Sequence, residues 1–200
     1  MLPEPWRLRT GQRLVIATHN SGKLAEFAAL MAPYGLDCTS AAALGLPEPV
    51  EDAPDFAGNA KIKALAAAKY SGLPALADDS GLLVAALYGA PGVRSSRYAN
   101  EAGGYPQAMA AIVAASRTND HAAFGCALCL AMPSGETATY LGFCHGRIAP
   151  EPRGAGGFGY DAIFIPIGSN RRFAEMSDAE KSAISHRGRA VRQFIAAHCC

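Results

Sequence analysis

The chain has 200 residues, half of them apolar and 8% aromatic, and its 18 basic and 17 acidic side chains leave a formal net charge of +1. That length supports one well-buried domain or two lobes, and the charge balance excludes a global field able to gather nucleic acid or an anionic membrane. No apolar stretch reaches the roughly 20 residues of a membrane span, and the start of the chain, with Pro3, Pro5, Trp6, Arg7 and Arg9, lacks the apolar segment of a secretion signal, so a soluble, cytoplasmic protein is expected.

Residues 1–12 are expected as an N-terminal extension whose order is left open, with a single two-lobed domain over 13–200. Arg13 to Ala17, rich in β-branched residues, predicts the first strand. The polar loop Thr18-His19-Asn20-Ser21-Gly22-Lys23 follows, then a helix with Leu24, Phe27, Ala28 and Met31 on one face. Such a loop offers backbone N–H groups, small polar side chains and a lysine at the positive end of a helix, which suits a phosphate chain. It also suits an ordinary helix start capped by Asn20 or Ser21, and it lacks the spacing of a Walker loop. A short second strand is expected around Leu36 to Thr39. The acidic stretch Glu51 to Asp55 leads into a helix from Phe56 to Tyr70, with Asp55 as N-cap. Asn59 and Lys63, four residues apart, share a face of that helix; Lys63 is either a solvated surface lysine or a functional one.

The apolar run Leu73 to Ala77 gives way to Asp78-Asp79-Ser80-Gly81 before Leu82. It reads either as a core strand ending in a site or as a polar surface turn. Adjacent carboxylates repel unless a metal ion or a cationic side chain lies beside them. Leu82 to Leu87 is expected to be helical or locally compact. Gly89 to Tyr98 is expected to be a loop carrying Arg94 and Arg97, and Tyr105 to Ser116 a helix aligning Ala108, Ile112 and Ala115. Ala122 to Ala131 and Thr137 to Ile148 predict an antiparallel strand pair and therefore a mixed sheet covered on both faces. Cys126 and Cys129, an odd number of residues apart on a strand, point to opposite faces and are expected as buried small hydrophobes. Cys199 and Cys200 are expected as frayed free thiols.

The glycine-rich segment Arg153 to Asp161 holds Phe158 and Tyr160 beside a carboxylate. The two rings are candidates for stacking on a base, with Asp161 accepting from the ligand's donors; Phe158 is equally a core side chain. Ser177 and Glu180 have capping-box spacing. Lys181, His186, Arg187, Arg189 and Arg192 make a basic cluster, read either as a solvated helix face or, with His186-Arg187-Gly188 in a turn between helices, as a grip on an anion or a base oxygen. No serine-hydrolase elbow, zinc-protease motif, dinucleotide-binding glycine pattern or zinc-type Cys/His cluster occurs. Carboxylates are thus the remaining candidate catalysts, and with a phosphate-friendly loop they suit cleavage of a phosphoanhydride. That reaction needs a divalent cation, for which Mg²⁺ fits oxygen ligands best, and an activated water.

Six blocks in order carry a resemblance: Thr18 to Lys23, Phe56 to Ala64, Ala77 to Leu82, Gly89 to Gly92 with Ser95 to Tyr98, Gly156 to Asp161, and Glu180 to Gly188. Together they resemble the inosine triphosphate pyrophosphatase (Ham1/RdgB-like) family of non-canonical purine NTP pyrophosphatases, from about Leu14 to the C-terminal helix. The resemblance implies an elongated α/β fold with a central mixed sheet, two lobes and a deep cleft, usually in a homodimer; with the balanced charge, no stable nucleic acid complex is expected. It also implies Mg²⁺-dependent hydrolysis of ITP, dITP and XTP to the monophosphate and pyrophosphate. By the same resemblance Thr18, His19, Asn20, Ser21, Gly22, Lys23 and Lys63 hold the phosphates. Glu51 and Asp79 hold the metal, Asp79 is the proton acceptor with Asp78 in support, and Ser80 contacts substrate. Phe158, Gly159, Tyr160 and Asp161 frame the base and sugar, while Lys181, His186 and Arg187 read the purine 6-oxygen. The chain departs from the family pattern at His19, at Gly58 where glutamate is usual, at Asp52 and Ala53 where threonine and glycine are usual, and at Ala162 in place of proline. These departures are expected to shift metal affinity or rate. A Maf-like pyrophosphatase for modified pyrimidine or methylated nucleotides, and a nucleotide-binding module without turnover, are the rival readings.

Overall fold

A computed structural model describes residues 7–18 and 20–199. Its six strands are β1 (Arg13–Ile16), β2 (Asp37–Ser40), β3 (Ala75–Val84), β4 (His121–Ala131), β5 (Thr137–Ile148) and β6 (Phe164–Pro166), and its α-helices are α1 (Ser21–Met31), α2 (Phe56–Ser71), α3 (Ser95–Glu101), α4 (Tyr105–Ala115), α5 (Asp178–Ile184) and α6 (His186–His198). The strands form one sheet in the order β2-β1-β3-β4-β5-β6. β1 runs parallel to β2 and β3, whereas β5 and β6 are antiparallel. The mixed α/β sheet is as expected. β4 and β5 neighbour one another across a turn in which Gly135 N–H bonds Met132 O, too short a link for a parallel crossover. Among the described residues no helix is long and apolar enough to cross a membrane.

Two compact units divide the chain: one runs to Asp79 and adds Ala127–Leu141 and Gly188 onward, and the other takes Ser80–Cys126 and Gly142–Arg187. The first unit has an alanine core. Ala60, Ala64, Ala67 and Ala68 of α2 are buried with Val15, Ala75, Ala77, Ala127 and Cys129, because side chains this small let helix and strand backbones approach closely. Asp55 caps α2 as expected, accepting from Gly58 N–H at 2.7 Å, and Gly72 ends it at φ 69°. Leu8 is buried and its N–H donates to His198 O at 2.8 Å, so part of the 1–12 segment packs on this unit. Cys199 is not frayed, since it bridges to Leu8 and its N–H bonds Ile195 O; Cys200 lies outside the described residues. Tyr140 Oη and His198 Nε2 meet at 2.6 Å in the same unit.

The second unit is built around aromatic rings. Phe124 meets Phe164 edge-on at 4.8 Å and stacks on Phe173 at 5.9 Å, with Leu82, Val84, Ile112, Ile163 and Tyr160 around them. Neither Cys126 nor Cys129 forms a disulfide, and both are buried, as expected.

Several local expectations are corrected. β3 does not stop at Ala77 but continues through both aspartates to Val84, so Leu82 to Val84 is strand and only Ala85–Leu87 is a 3₁₀ turn. Ser95 to Tyr98 belongs to α3 rather than a loop, since Ser95 Oγ bonds Gly92 O at 2.7 Å and draws the chain into a helical turn. On α4 Ala115 is exposed and Ser116 buried, a drift of the buried face at the helix end.

Continuation of β3 depends on Gly81. Leu82 N–H donates to Ser95 Oγ at 2.9 Å, and this brings the Gly92–Ser95 segment so close that a Cβ at position 81 would fall on Gly92 O and lie 2.5 Å from Ser95 Oγ. Because backbone must move to make room, Gly81→Ala is expected to destabilise the protein by about 3 kcal/mol, the upper end of overpacking penalties; urea unfolding monitored by circular dichroism measures it, and a loss under about 0.5 kcal/mol would contradict the close approach.

Candidate active site

In the first unit the turn after β1 is set by short polar side chains. Asn20 N–H donates to Thr18 Oγ1 at 3.1 Å, and Asn20 Oδ1 accepts from Lys23 N–H at 3.0 Å, making Asn20 the N-cap of α1. Ser21 and Gly22 open the helix, so this turn presents its first N–H groups. The expectation for His19 lies outside the described residues.

Lys23 Nζ stands 3.1 Å from Asp78 Oδ2, whose side chain is 1% exposed. Lys63 Nζ stands 3.0 Å from Glu51 Oε2 and 3.8 Å from Asp79 Oδ1. Because successive residues of a strand face opposite ways, the adjacent carboxylates are held apart and each meets its own lysine. Asn59, one turn from Lys63 on α2, donates from Nδ2 to Asp79 Oδ2 at 3.1 Å. Its Oδ1 accepts from Ala53 N–H at 2.9 Å.

Charge follows from this packing. Burial alone would push the Lys63 ammonium down, but Asp78, Asp79 and Glu51 outweigh it and hold it above the usual lysine value. Burial raises the Asp79 carboxyl above the ordinary carboxylate range despite Lys63, Asn59 and Lys23, which pull the other way. A carboxylate of raised basicity is suited to accepting a proton.

Among the described residues no group of three or more His, Cys, Asp and Glu side chains is placed to hold a metal ion. The donor set nevertheless fits Mg²⁺. Glu51 and Asp79 turn oxygens toward one cationic group, here the Lys63 ammonium, and Mg²⁺ is commonly held by one or two carboxylates with water and substrate phosphate completing its shell.

In the second unit Lys181 Nζ lies 4.7 Å over the Phe158 ring and 2.8 Å from Asp161 Oδ2, the two charged side chains being 5% exposed. Asp161 also accepts from Phe158 N–H at 2.9 Å, and Gly159 at φ 64° makes the turn. Arg187 Cζ stands 5.8 Å from the same ring, while its Nη2 donates to Ser80 Oγ at 2.9 Å. Phe158, Lys181, Arg187 and Ser80 are thus brought together. Two residues take other places. Tyr160 is not available to stack on a ligand: its ring is 3% exposed, packs edge-on to Tyr105 at 5.2 Å, and its Oη donates to Ser95 O at 2.9 Å. His186 does not sit in a free turn either, since it opens α6 and stacks on Phe124 at 4.8 Å. Of the basic cluster, Lys181, His186 and Arg187 are buried while Arg189 and Arg192 are exposed.

Residues 14–197 match the model of the Ham1 family. The chain belongs to the Ham1 family. It is 52% identical over 191 residues to the dITP/XTP pyrophosphatase of Gluconobacter oxydans, covering 94% of this chain and 92% of the relative. It is 50% identical to the enzyme of the same name from Rhodospirillum centenum, over 93% of this chain and 94% of the relative. Among solved structures, a HAM1 protein from Coxiella burnetii superposes with a TM-score of 0.84 at 40% identity, covering 92% of this chain and 97% of that one.

Asn59 and Ser95 are the contributors to which sequence reasoning assigned no role. The signal for Asn59 was its place four residues before Lys63 on one helix face; Ser95 had none, because its partners Leu82 and Gly92 are adjacent only through folding.

The raised Asp79 carboxyl has a consequence for stability. A group whose native pKa lies above its unfolded value stabilises the fold below the unfolded value and loses that contribution as pH rises through the native one. Without divalent cation, the melting temperature of Asp79→Asn relative to the parent protein is therefore expected to rise as pH rises through the native Asp79 value, on top of a constant offset from the attraction to Lys63 that the substitution removes. Differential scanning calorimetry from pH 4 to 8 checks this; a relative stability that falls with rising pH would contradict it.

Proposed function

We propose that this Ham1-family protein is a nucleoside-triphosphate pyrophosphatase that hydrolyses non-canonical purine nucleotides, ITP, dITP and XTP, to the monophosphate and pyrophosphate, and so cleanses the nucleotide pool. The observation that carries the reading is Asp79, buried on β3 with Lys63 and Asn59 on its two oxygens and its carboxyl raised in basicity. The names of the relatives at 52% and 50% identity support the reaction class.

In this reading the α1 turn and Lys23 bind phosphate oxygens, with Lys63 offsetting their charge. Asp79 takes the proton of the water whose oxygen attacks the α-phosphorus, the bond to the bridging oxygen breaks, and pyrophosphate leaves. Glu51 and Asp79 are the residues that would hold Mg²⁺, which when bound supplies charge neutralisation on the phosphate oxygens. Asp78 keeps Lys23 in position. In the second unit Phe158 offers a face to the purine, and the donors of Lys181 and Arg187 suit the 6-oxygen of inosine and xanthosine, an acceptor where adenosine carries an amine. Ser80, next in the chain to Asp79, is positioned by Arg187. Asp161 serves by orienting Lys181 and the Phe158 turn, and Tyr160 and His186 support that turn and α6 from the core. The enzyme is expected to act in the cytoplasm as a homodimer, without a stable nucleic acid complex.

A panel of ITP, dITP, XTP, GTP, ATP and dTTP with Mg²⁺, scored for pyrophosphate against free phosphate, tests the reaction. Release of pyrophosphate from the first three is expected to exceed that from ATP and dTTP; preference for dTTP would favour a Maf-like enzyme, and no turnover of any nucleotide would leave a binding module. Asp79→Asn is expected to lower kcat by about 100-fold or more, the scale of a lost general base, with ITP binding by titration calorimetry largely kept.

A further inference from the structure

We infer that Asn59 is a positioning residue for hydrolysis, holding the Glu51–Ala53 segment and the Asp79 carboxylate in one arrangement, and that the contact between Ala53 and Gly58 sets the distance at which it does so. The inference rests on the reading of Asp79 and Glu51 given above.

Asn59 is 1% exposed and uses both ends of its amide. Oδ1 accepts from Ala53 N–H at 2.9 Å and Nδ2 donates to Asp79 Oδ2 at 3.1 Å. An amide is the short side chain that can accept from one backbone and donate to a carboxylate at once. Aspartate in its place would set two carboxylates face to face, and alanine would leave Asp79 Oδ2 and the Ala53 N–H without these bonds. Since Glu51 lies two residues before Ala53 and bonds Lys63 at 3.0 Å, the amide ties together the two carboxylates that meet at the Lys63 ammonium, from strand β3 and from an irregular segment with no strand to hold it.

The segment crosses the first turn of α2 with little room to spare. A Cβ at Gly58 would lie 2.5 Å from Ala53 Cβ and 3.3 Å from Asp55 Oδ1. One methyl fits between the segment and the helix, and in this chain it is carried by Ala53. A second methyl at 58 has to push Ala53 off the helix, and with it the N–H that Asn59 receives. Gly58 has no left-handed backbone to explain its glycine, and a glycine in the first turn of a helix lowers helix propensity. Its place is explained by the closeness of Ala53.

A rescue experiment separates this from general destabilisation. Gly58→Ala leaves the side chains of Asp79 and Asn59 unchanged and adds a methyl that meets Ala53 and Asp55, yet it is expected to lower kcat for ITP roughly tenfold, the scale of a hydrogen bond to a charged group, with KM changed less than threefold. Combined with Ala53→Gly it is expected to recover kcat to within about twofold of Ala53→Gly alone, and to melt higher than that single variant because alanine favours the helix. Asn59→Ala is expected to show the same kcat loss as Gly58→Ala, and adding Gly58→Ala to it should bring little further loss. In parallel, hydrogen exchange of the Ala53 amide, followed by NMR without nucleotide or metal, is expected to quicken in Gly58→Ala and Asn59→Ala and to slow again in the double variant. Full activity in Gly58→Ala, failure of Ala53→Gly to rescue it, or an Ala53 amide unaltered in all variants would overturn the inference. Because amide exchange needs no turnover, an absence of pyrophosphate release by the parent protein would sink the proposed reaction while leaving the positioning itself measurable.

Discussion

The polar site of the first unit depends on a half-buried ammonium group set against two carboxylates. Lys63 meets Glu51 at 3.0 Å and the buried Asp79 at 3.8 Å, and without it both acids would lose the cation they share. The raised basicity of both Lys63 and Asp79 records two opposed effects, attraction between opposite charges and the penalty of taking a carboxylate out of water. A site so arranged sets positive and negative groups against one another within a few ångströms.

The two cores suit different tasks. The first unit packs alanines on alanines, which brings α2 near β1 and β3 and so lets the short Asn59 side chain reach Asp79. Long side chains in that interface would hold the helix too far away. The second unit packs aromatic rings, with Phe124, Phe164, Phe173 and Tyr160 forming a stiff bed under the turn that presents Phe158. Lys181 is fixed there by a buried pair with Asp161 and by two rings, at 4.7 Å from Phe158 and 5.9 Å from Phe173. A lysine held so firmly has little conformational freedom left to lose on meeting an acceptor.

Helix starts explain much of what local sequence could convey. Asn20, Asp55 and Ser177 each accept from a backbone N–H three residues ahead, at 3.0, 2.7 and 3.3 Å. The capping box at Ser177 is reinforced because Glu180, bonded first to Arg171 and then to Ser177, has its carboxyl lowered to about 2. Those caps, the β4 and β5 strands and the buried cysteines were readable because each depends on neighbours within a few residues. The six ordered blocks also identified the family in advance.

What the amino-acid order determined by itself was therefore the mixed α/β class, the helix caps, the hairpin and the set of residue types at the site. Which of those residues meet was decided only by the tertiary structure. Asp78 and Asp79 read as a strand end, yet the strand runs on because Gly81 lets the Gly92–Ser95 segment approach and Ser95 take the Leu82 N–H. Both Phe158 and Tyr160 read as candidates for stacking, with Phe158 the one given a core alternative, and it is packing against Tyr105 and Ser95 O that buries Tyr160 instead and leaves Phe158 partly exposed. Gly58 and Ala53 read as departures from the family pattern and Asn59 as a neighbour of Lys63, but that Asn59 meets Asp79, twenty residues further along, and that Ala53 fills the space beside Gly58 were decided by the fold. Contacts of that kind depend on distances between segments brought together by burial, which local propensity does not encode.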